Sequence, residues 1–230
     1  MCKFAKHIFR MMKDYDAYIF DLDGTLLDTL GDLAASVNHA LRLHGLPEHN
    51  MDDIRRFVGN GVGKLVERAV PDGTASSLFA AVLDDFKAYY SQHNMDLTVP
   101  YPGIMDMLGR LRREGKRMAV VSNKFDAATK SLCRHFFHGY IDVAIGESEG
   151  VRRKPAPDTV VEALSQLYGS DIRKSPSAPR IVYIGDSDVD IATARNSGLP
   201  CVSVLWGFRD KAFLAAHGAE TFIASADEIG

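Results

Sequence analysis

Tyr18-Ile19-Phe20-Asp21-Leu22-Asp23-Gly24-Thr25-Leu26 carries an apolar strand straight into two carboxylates one residue apart. Aspartate is a poor strand residue, and two so close repel unless a cation or a proton is shared between them. Asp-Gly is also common turn chemistry, so the stretch alone reads equally well as a solvated turn after a buried strand. What the rest of the chain brings to the same place decides between the two.

The next convincing strand pattern is Arg117-Met118-Ala119-Val120-Val121-Ser122, nearly a hundred residues later. That interval is too long for the single helix that joins neighbouring parallel strands. It is filled with helical spacing: Leu30, Leu33, Ala34, Val37, Ala40 and Leu41 recur at three and four, as do Leu78, Phe79, Val82, Leu83, Phe86 and Tyr89. Thr29 with Asp32 three residues on gives the first helix a capping-box start, and Gly45 gives it a stop. An all-helical insert over residues 28–100 is expected, with residues 14–27 and 101–230 forming one body around it.

From residue 101 helix and strand alternate. Helices are expected over 103–114, 125–137, 158–168 and 188–197, and strands over 117–122, 140–145, 180–185 and 200–205. Unbroken apolar runs such as Ile181-Val182-Tyr183-Ile184 read as strands buried on both faces. The fold class is therefore α/β, a doubly wound parallel sheet covered by helices, whose ligands gather at the carboxyl ends of its strands. Ser170 to Pro179 reads as a mobile surface loop.

With 230 residues, 46% hydrophobic, the chain is long enough to bury a substantial core. A formal net charge of -3, from 27 basic and 30 acidic residues, offers no footprint for nucleic acid or an anionic membrane surface. Cys2, Cys133 and Cys201 are scattered without a C-x-x-C pair, which argues against a disulfide framework or a zinc knuckle and suits a reducing cytoplasm. No run approaches a membrane span, and residues 1–13, with Lys3, Lys6 and Arg10, lack the apolar core of a secretory signal and are read as peripheral. A small molecule is the expected partner, bound by a monomer or homodimer.

The strand ends in order deliver Asp21 and Asp23, then Ser122-Asn123-Lys124, then Arg152-Arg153-Lys154-Pro155, then Gly185-Asp186-Ser187-Asp188-Val189-Asp190. Two carboxylate clusters on one sheet edge need a compensating cation. Oxygen ligands with room for water and phosphate suit Mg²⁺ better than zinc or a soft metal. Capping and the helix dipole account for one or two of the acids after Gly185, hardly three. An EF-hand is disfavoured because Ile191 stands where its Gly belongs and Ser197 where its Glu belongs. Gly59-Asn60-Gly61-Val62-Gly63-Lys64 is no P-loop either, since no Gly lies five residues before Gly63, Leu65 replaces the Ser or Thr, and no sheet pattern follows.

Taken together, Asp21-Leu22-Asp23-Gly24-Thr25, Val121-Ser122-Asn123-Lys124, Lys154-Pro155-Ala156-Pro157-Asp158 and Gly185-Asp186-Ser187-Asp188-Val189-Asp190 resemble, in order, the four motifs of the haloacid dehalogenase superfamily phosphatases. The resemblance extends over residues 15–225 and is strongest to the phosphoglycolate phosphatases. It implies a Rossmann-like core with a small helical cap inserted after the first strand. It also implies Asp21 as nucleophile and Asp23 as general acid and base. Mg²⁺ would be held by the Asp21 carboxylate, the Asp23 main-chain carbonyl and Asp186, with Asp190 supporting them. Ser122 and Lys154 would contact the phosphoryl group, with Thr25 and Asn123 shaping the site. The segment Arg55-Arg56-Phe57-Val58-Gly59-Asn60-Gly61 would face that site from the cap, making Arg56 and Asn60 candidates for substrate recognition.

The expected reaction is Mg²⁺-dependent hydrolysis of a small phosphate monoester, 2-phosphoglycolate first, through an aspartyl-phosphate. Other small phosphates (sugar phosphates, pyrophosphate, nucleotides) and a phosphomutase resembling β-phosphoglucomutase are the alternatives. A dehalogenase is disfavoured because that chemistry needs neither Asp23 nor a metal. A non-catalytic binding protein on the same fold should have lost one of Asp21, Asp23, Lys154 or Asp186, and all four are present.

Overall fold

The computed structural model describes residues 15–170 and 177–230. The N-terminal segment read as peripheral, and the middle of the Ser170 to Pro179 stretch, lie outside the described residues. Two compact units emerge, Leu27–Val99 and the remainder of the chain, which resumes at Pro100 and ends at Gly230.

The larger unit is built on strands β1 (Ala17–Phe20), β4 (Arg117–Phe125), β5 (Val143–Glu147), β6 (Ile181–Gly185), β7 (Cys201–Val204) and β8 (Phe222–Ile223). They form one six-stranded sheet in the order β5-β4-β1-β6-β7-β8, parallel throughout. Every residue of β1 is fully buried. This is what a central strand covered on both faces requires, and it explains why its apolar run is unbroken. Alternate residues Ala17, Ile19, Ala119, Val121, Val143, Ile145, Ile181 and Tyr183 join Val160, Ala163, Leu164 and Leu167 in one apolar cluster. Those four belong to helix α7 (Asp158–Tyr168). Tyr18, Phe20, Met118, Val120, Val182 and Ile184 point the other way and are also buried, so both faces are covered.

The chain builds outward from β1 through β4 and β5, then returns to the opposite side of β1 for β6. Such a reversal leaves a crevice at the carboxyl ends of the strands flanking it. Asp21 follows β1 directly, and Asp186 follows β6 directly.

The sheet differs from expectation at several points. β5 begins at Val143 rather than 140, because Tyr140 and Ile141 turn their N–H groups back to Phe137 O at 3.0 and 3.4 Å, and Asp142 is the first residue to reach β4, its N–H donating to Met118 O and its carboxylate accepting from Met118 N, each at 2.9 Å. β4 runs on to Phe125, with a register irregularity against β5 between Val121 and Phe125 that takes in Ser122, Asn123 and Lys124. An irregularity of this kind re-aims side chains at a strand end. The short β8 and the six-residue helix Lys211–Ala216 carry too little periodicity to be read from sequence.

The smaller unit holds helices α1 (Leu30–Leu43), α2 (Met51–Phe57), α3 (Val62–Ala69) and α4 (Phe79–His93). The short strands β2 (Leu27–Asp28) and β3 (Val99–Pro100) pair separately. α1 buries the predicted face, Leu30, Leu33, Ala34, Val37, Ala40 and Leu41. Its predicted capping box does not form. Thr29 makes no side-chain cap bond, and the Asp32 carboxylate accepts instead from Leu97 N (2.9 Å), Thr98 N (3.0 Å) and Thr98 Oγ1 (2.7 Å). Three donors to a buried carboxylate outweigh the single bond a cap offers. On α4 the expected Phe86 is buried, but the buried tyrosine is Tyr90 rather than Tyr89, which stacks between His39 and His93 at 3.9 and 4.1 Å. Between α2 and α3, Gly59, Asn60 and Gly61 all take positive φ, a tight turn rather than a phosphate cradle.

Candidate active site

Lys154 organises the carboxyl edge of the sheet. Its Nζ lies 2.8 Å from Asp21 Oδ1 and 2.8 Å from Asp190 Oδ1, and donates to Tyr183 OH at 3.1 Å. The side chain is only 2% exposed. A buried ammonium is tolerated only when paired and hydrogen-bonded, and here both conditions are met. Asn123 positions it from β4, donating from Nδ2 to Lys154 O at 3.0 Å.

Asp190 sits in the first turn of helix α8 (Asp188–Asn196), where Ser187 caps and Asp190 completes a capping box. The expected cap is therefore present, but the same carboxylate does more. Oδ1 accepts from Lys154 Nζ (2.8 Å) and Tyr183 OH (2.9 Å). Oδ2 accepts from Asp186 N (3.2 Å), Ser187 N (3.1 Å) and Ser187 Oγ (2.6 Å). A carboxylate has about four lone-pair sites, and these donors draw on all of them. Asp190 thus holds Lys154 and the Asp186 loop in place and adds negative charge beside both.

Asp21, Asp186 and Asp190 bring carboxylate oxygens within 4.8 Å of one another, all buried. With all three ionised, one ammonium leaves two negative charges over, and the ligand atoms the three residues offer are carboxylate oxygens. Charge and donor chemistry both fit a hard divalent cation. Burial first, then the neighbouring Asp190 charge, raises the Asp21 carboxyl well above its ordinary range against the pull of Lys154. The same two causes push Asp186 up to about 7, with the Phe208 N–H, Lys154 and Arg209 opposing them. Burial works against the Lys154 charge, but Asp190 and Asp21 outweigh it and raise its affinity for a proton. Tyr183 is raised by burial and by the same carboxylates, and stays a neutral donor.

These shifts carry a stability prediction. A carboxyl that binds its proton more tightly folded than unfolded favours folding at low pH, and that contribution is lost as pH rises through its folded value. For Asp186 the span runs from the ordinary 3.8 to about 7. The metal-free chain should therefore gain stability as pH falls from about 8 to about 6, and saturating Mg²⁺ should flatten the dependence. Urea midpoints across that range check it; a flat metal-free profile would refute the electrostatic reading.

Asp23 stands apart from this cluster. Its Oδ1 lies 2.8 Å from Lys124 Nζ, whose side chain is 3% exposed, and the contact falls outside hydrogen-bond geometry, so it is an interaction of charges. Ser122 Oγ accepts from Lys124 N at 3.2 Å, which leaves its O–H to donate. Thr25 Oγ1 points at Asp186 Oδ1 at 3.4 Å. In the other unit, Arg56 pairs with Asp53 of its own helix, and Asn60 lies in the left-handed turn after α2. The structure thus gathers Asp21, Thr25, Asn123, Lys154, Asp186 and Asp190 into one network.

Sequence reading passed over Tyr183, Lys124, Trp206 and Phe208. Tyr183 carried a usable signal, since a hydroxyl inside an apolar strand needs a buried partner. Lys124 was visible within its motif, but nothing local pairs it with a residue a hundred positions earlier. Trp206 donates from Nε1 to Thr25 O at 3.0 Å and Phe208 from its amide to Asp186 Oδ2 at 2.7 Å. Both contacts depend on a loop folding back, for which sequence offers no sign. Cys133 and Cys201 have thiols pushed up to about 12 by burial, so neither is a reactive nucleophile.

Residues 18–204 match the family model of haloacid dehalogenase-like hydrolases. A phosphoglycolate phosphatase from Mesorhizobium japonicum is 34% identical over 202 residues, covering 84% of each chain. One from Aquifex aeolicus is 30% identical, covering 83% of this chain and 84% of its own. A solved structure from Lactobacillus delbrueckii subsp. bulgaricus, provisionally named a phosphoglycolate phosphatase, is 38% identical, with a TM-score of 0.86 over 94% of this chain and 96% of its own. With its parallel sheet, its buried carboxylates around one lysine and these relatives, the chain belongs to the haloacid dehalogenase-like hydrolases, as an enzyme with phosphoglycolate phosphatases among its kin.

Proposed function

We propose that this enzyme hydrolyses a small phosphate monoester with the help of Mg²⁺, 2-phosphoglycolate being the first substrate to test. The observation that carries the reading is Lys154 Nζ held 2.8 Å from Asp21 Oδ1 at a buried edge where three carboxylates converge. An anionic phosphoryl group can approach the Asp21 carboxylate only if positive charge stands beside both, and the ammonium is fixed there in advance.

Asp21 attacks phosphorus in line, forming an aspartyl-phosphate while the ester oxygen departs. Lys154 Nζ, at 2.8 Å, and Leu22 N, at 2.7 Å, both meet Asp21 at Oδ1, so Oδ2 accepts neither. Asp23 gives a proton to the departing oxygen and then takes one from the water that cleaves the aspartyl-phosphate. Ser122 donates its hydroxyl to a phosphoryl oxygen. Asp21 and Asp186, with the Asp23 carbonyl, would hold Mg²⁺, and Asp190 would support them; when bound, the ion would supply positive charge against the phosphoryl oxygens. Leaving-group selection is assigned to the helical insert, with Arg56 and Asn60 as the residues to vary.

Phosphate release should be compared across 2-phosphoglycolate, sugar phosphates, pyrophosphate and nucleotides. A preference elsewhere by orders of magnitude would displace 2-phosphoglycolate and leave the chemistry standing. Isomerised sugar phosphate without stoichiometric phosphate would instead identify a mutase. Thorough chelation should abolish turnover, with Mg²⁺ restoring it; full activity after chelation would remove the ion from the mechanism.

A further inference from the structure

We propose that the loop Leu205–Arg209 after β7 is a positioning clamp for Asp186, setting which of its carboxylate oxygens stays open to a divalent cation. The proposal rests on Asp186 being a ligand of that cation, as read above. The loop reaches Asp186 in two ways. The Phe208 amide donates to Oδ2 at 2.7 Å, a short charge-assisted bond. Oδ1 is approached by Thr25 Oγ1 at the longer distance of 3.4 Å. One oxygen is therefore pinned by backbone, and the carboxylate as a whole stands within the cluster with Asp21 and Asp190.

Gly207 makes this contact possible. A Cβ there would stand 2.3 Å from Asp186 Cβ, 2.5 Å from Asp186 Oδ2 and 2.5 Å from Gly24 O. None of these neighbours is the loose end of a flexible side chain, so any larger residue must displace the loop or the ligand. Gly207 has no left-handed φ, so the requirement is for space and not for a backbone conformation. Gly24, beside Gly207, presses on the same oxygen: a Cβ at 24 would lie 2.4 Å from Asp186 Oδ2 and 2.9 Å from Phe208 Cδ2. Two side-chain-free positions, one from each of two loops, thus close on Asp186 Oδ2. Trp206 ties those loops together through its bond to Thr25 O at 3.0 Å.

A carboxylate fixed before the ion arrives loses less rotational freedom on binding, and its supporting bonds set affinity nearly as much as the ligand itself. Mn²⁺ titrations of the full chain, followed by the paramagnetic resonance of free Mn²⁺, test this directly. Gly207→Ala should weaken Mn²⁺ binding about 10- to 100-fold, with turnover recovering as Mg²⁺ is raised. Wild-type Mn²⁺ affinity in folded Gly207→Ala overturns the clamp. Should that variant fail to fold, Trp206→Phe, which removes only the indole donor, decides: weaker Mn²⁺ binding supports the clamp and unchanged binding overturns it. Asp186→Asn separates the two readings. If it binds Mn²⁺ as wild type does, the ligand assignment falls and the clamp with it. If Asp186→Asn loses binding while Gly207→Ala does not, the clamp alone fails.

Discussion

Asp21→Asn should lower kcat by about 10⁴-fold or more, the scale on which loss of a nucleophile removes covalent catalysis, while leaving the fold intact. Asparagine has nearly the volume of aspartate, and its amide oxygen can still accept the Leu22 N–H that now bonds Oδ1 at 2.7 Å. The substitution also removes a buried carboxyl whose ionised form is disfavoured by burial and by Asp190. Lys154 keeps Asp190 and Tyr183 as partners. Metal-free stability at neutral pH should therefore hold or rise as activity disappears. Stability against activity is a familiar exchange at sites that concentrate like charge. Steady-state turnover, urea midpoints and mass spectra of enzyme quenched with substrate supply the three readouts. Wild-type should gain one phosphoryl group and the variant none. Substantial turnover by the folded variant would sink Asp21 as the nucleophile.

That result would test a residue legible in the sequence from the outset. Asp21 ends an unbroken apolar run, and the run's burial on both faces made β1 a central strand. Helical spacing over residues 30–41 likewise marked the buried face of α1. These features are local, so periodicity registers them. The failures are where a side chain had a better distant partner than its local one. Asp32 has the spacing of a capping residue but meets Leu97 and Thr98 instead. Asp190 has both roles at once, capping α8 and holding Lys154. Tyr183 read as one more apolar strand residue, although its hydroxyl joins the central network. Trp206 and Phe208 left no trace, because their contacts to Thr25 and Asp186 span some 180 and 22 residues and follow from loop closure alone.

Lys154→Met should damage both the reaction and the resting protein, which distinguishes it from Asp21→Asn. Methionine fills much of the same buried space but supplies no charge and no donor. Asp21 and Asp190, each now 2.8 Å from the ammonium, would be left facing one another with Asp186 close by. Breaking a buried ion pair from one side costs about 3–5 kcal/mol, because the surviving charge loses its compensation. The carboxylates can relieve this by taking up protons, so the deficit relative to wild type should be larger near pH 8 than near pH 6. Mg²⁺ should recover part of the stability by replacing some of the missing positive charge. It should not recover the rate. Without Lys154 the phosphoryl group meets Asp21 with no fixed donor between them, and kcat should fall about 10²- to 10³-fold even at saturating metal, as for loss of one preorganised charge-stabilising donor. Urea unfolding at both pH values, with and without Mg²⁺, and turnover under the same conditions check each part. If stability returned with Mg²⁺ and the rate returned with it, Lys154 would be a structural counter-ion and no participant in phosphoryl transfer.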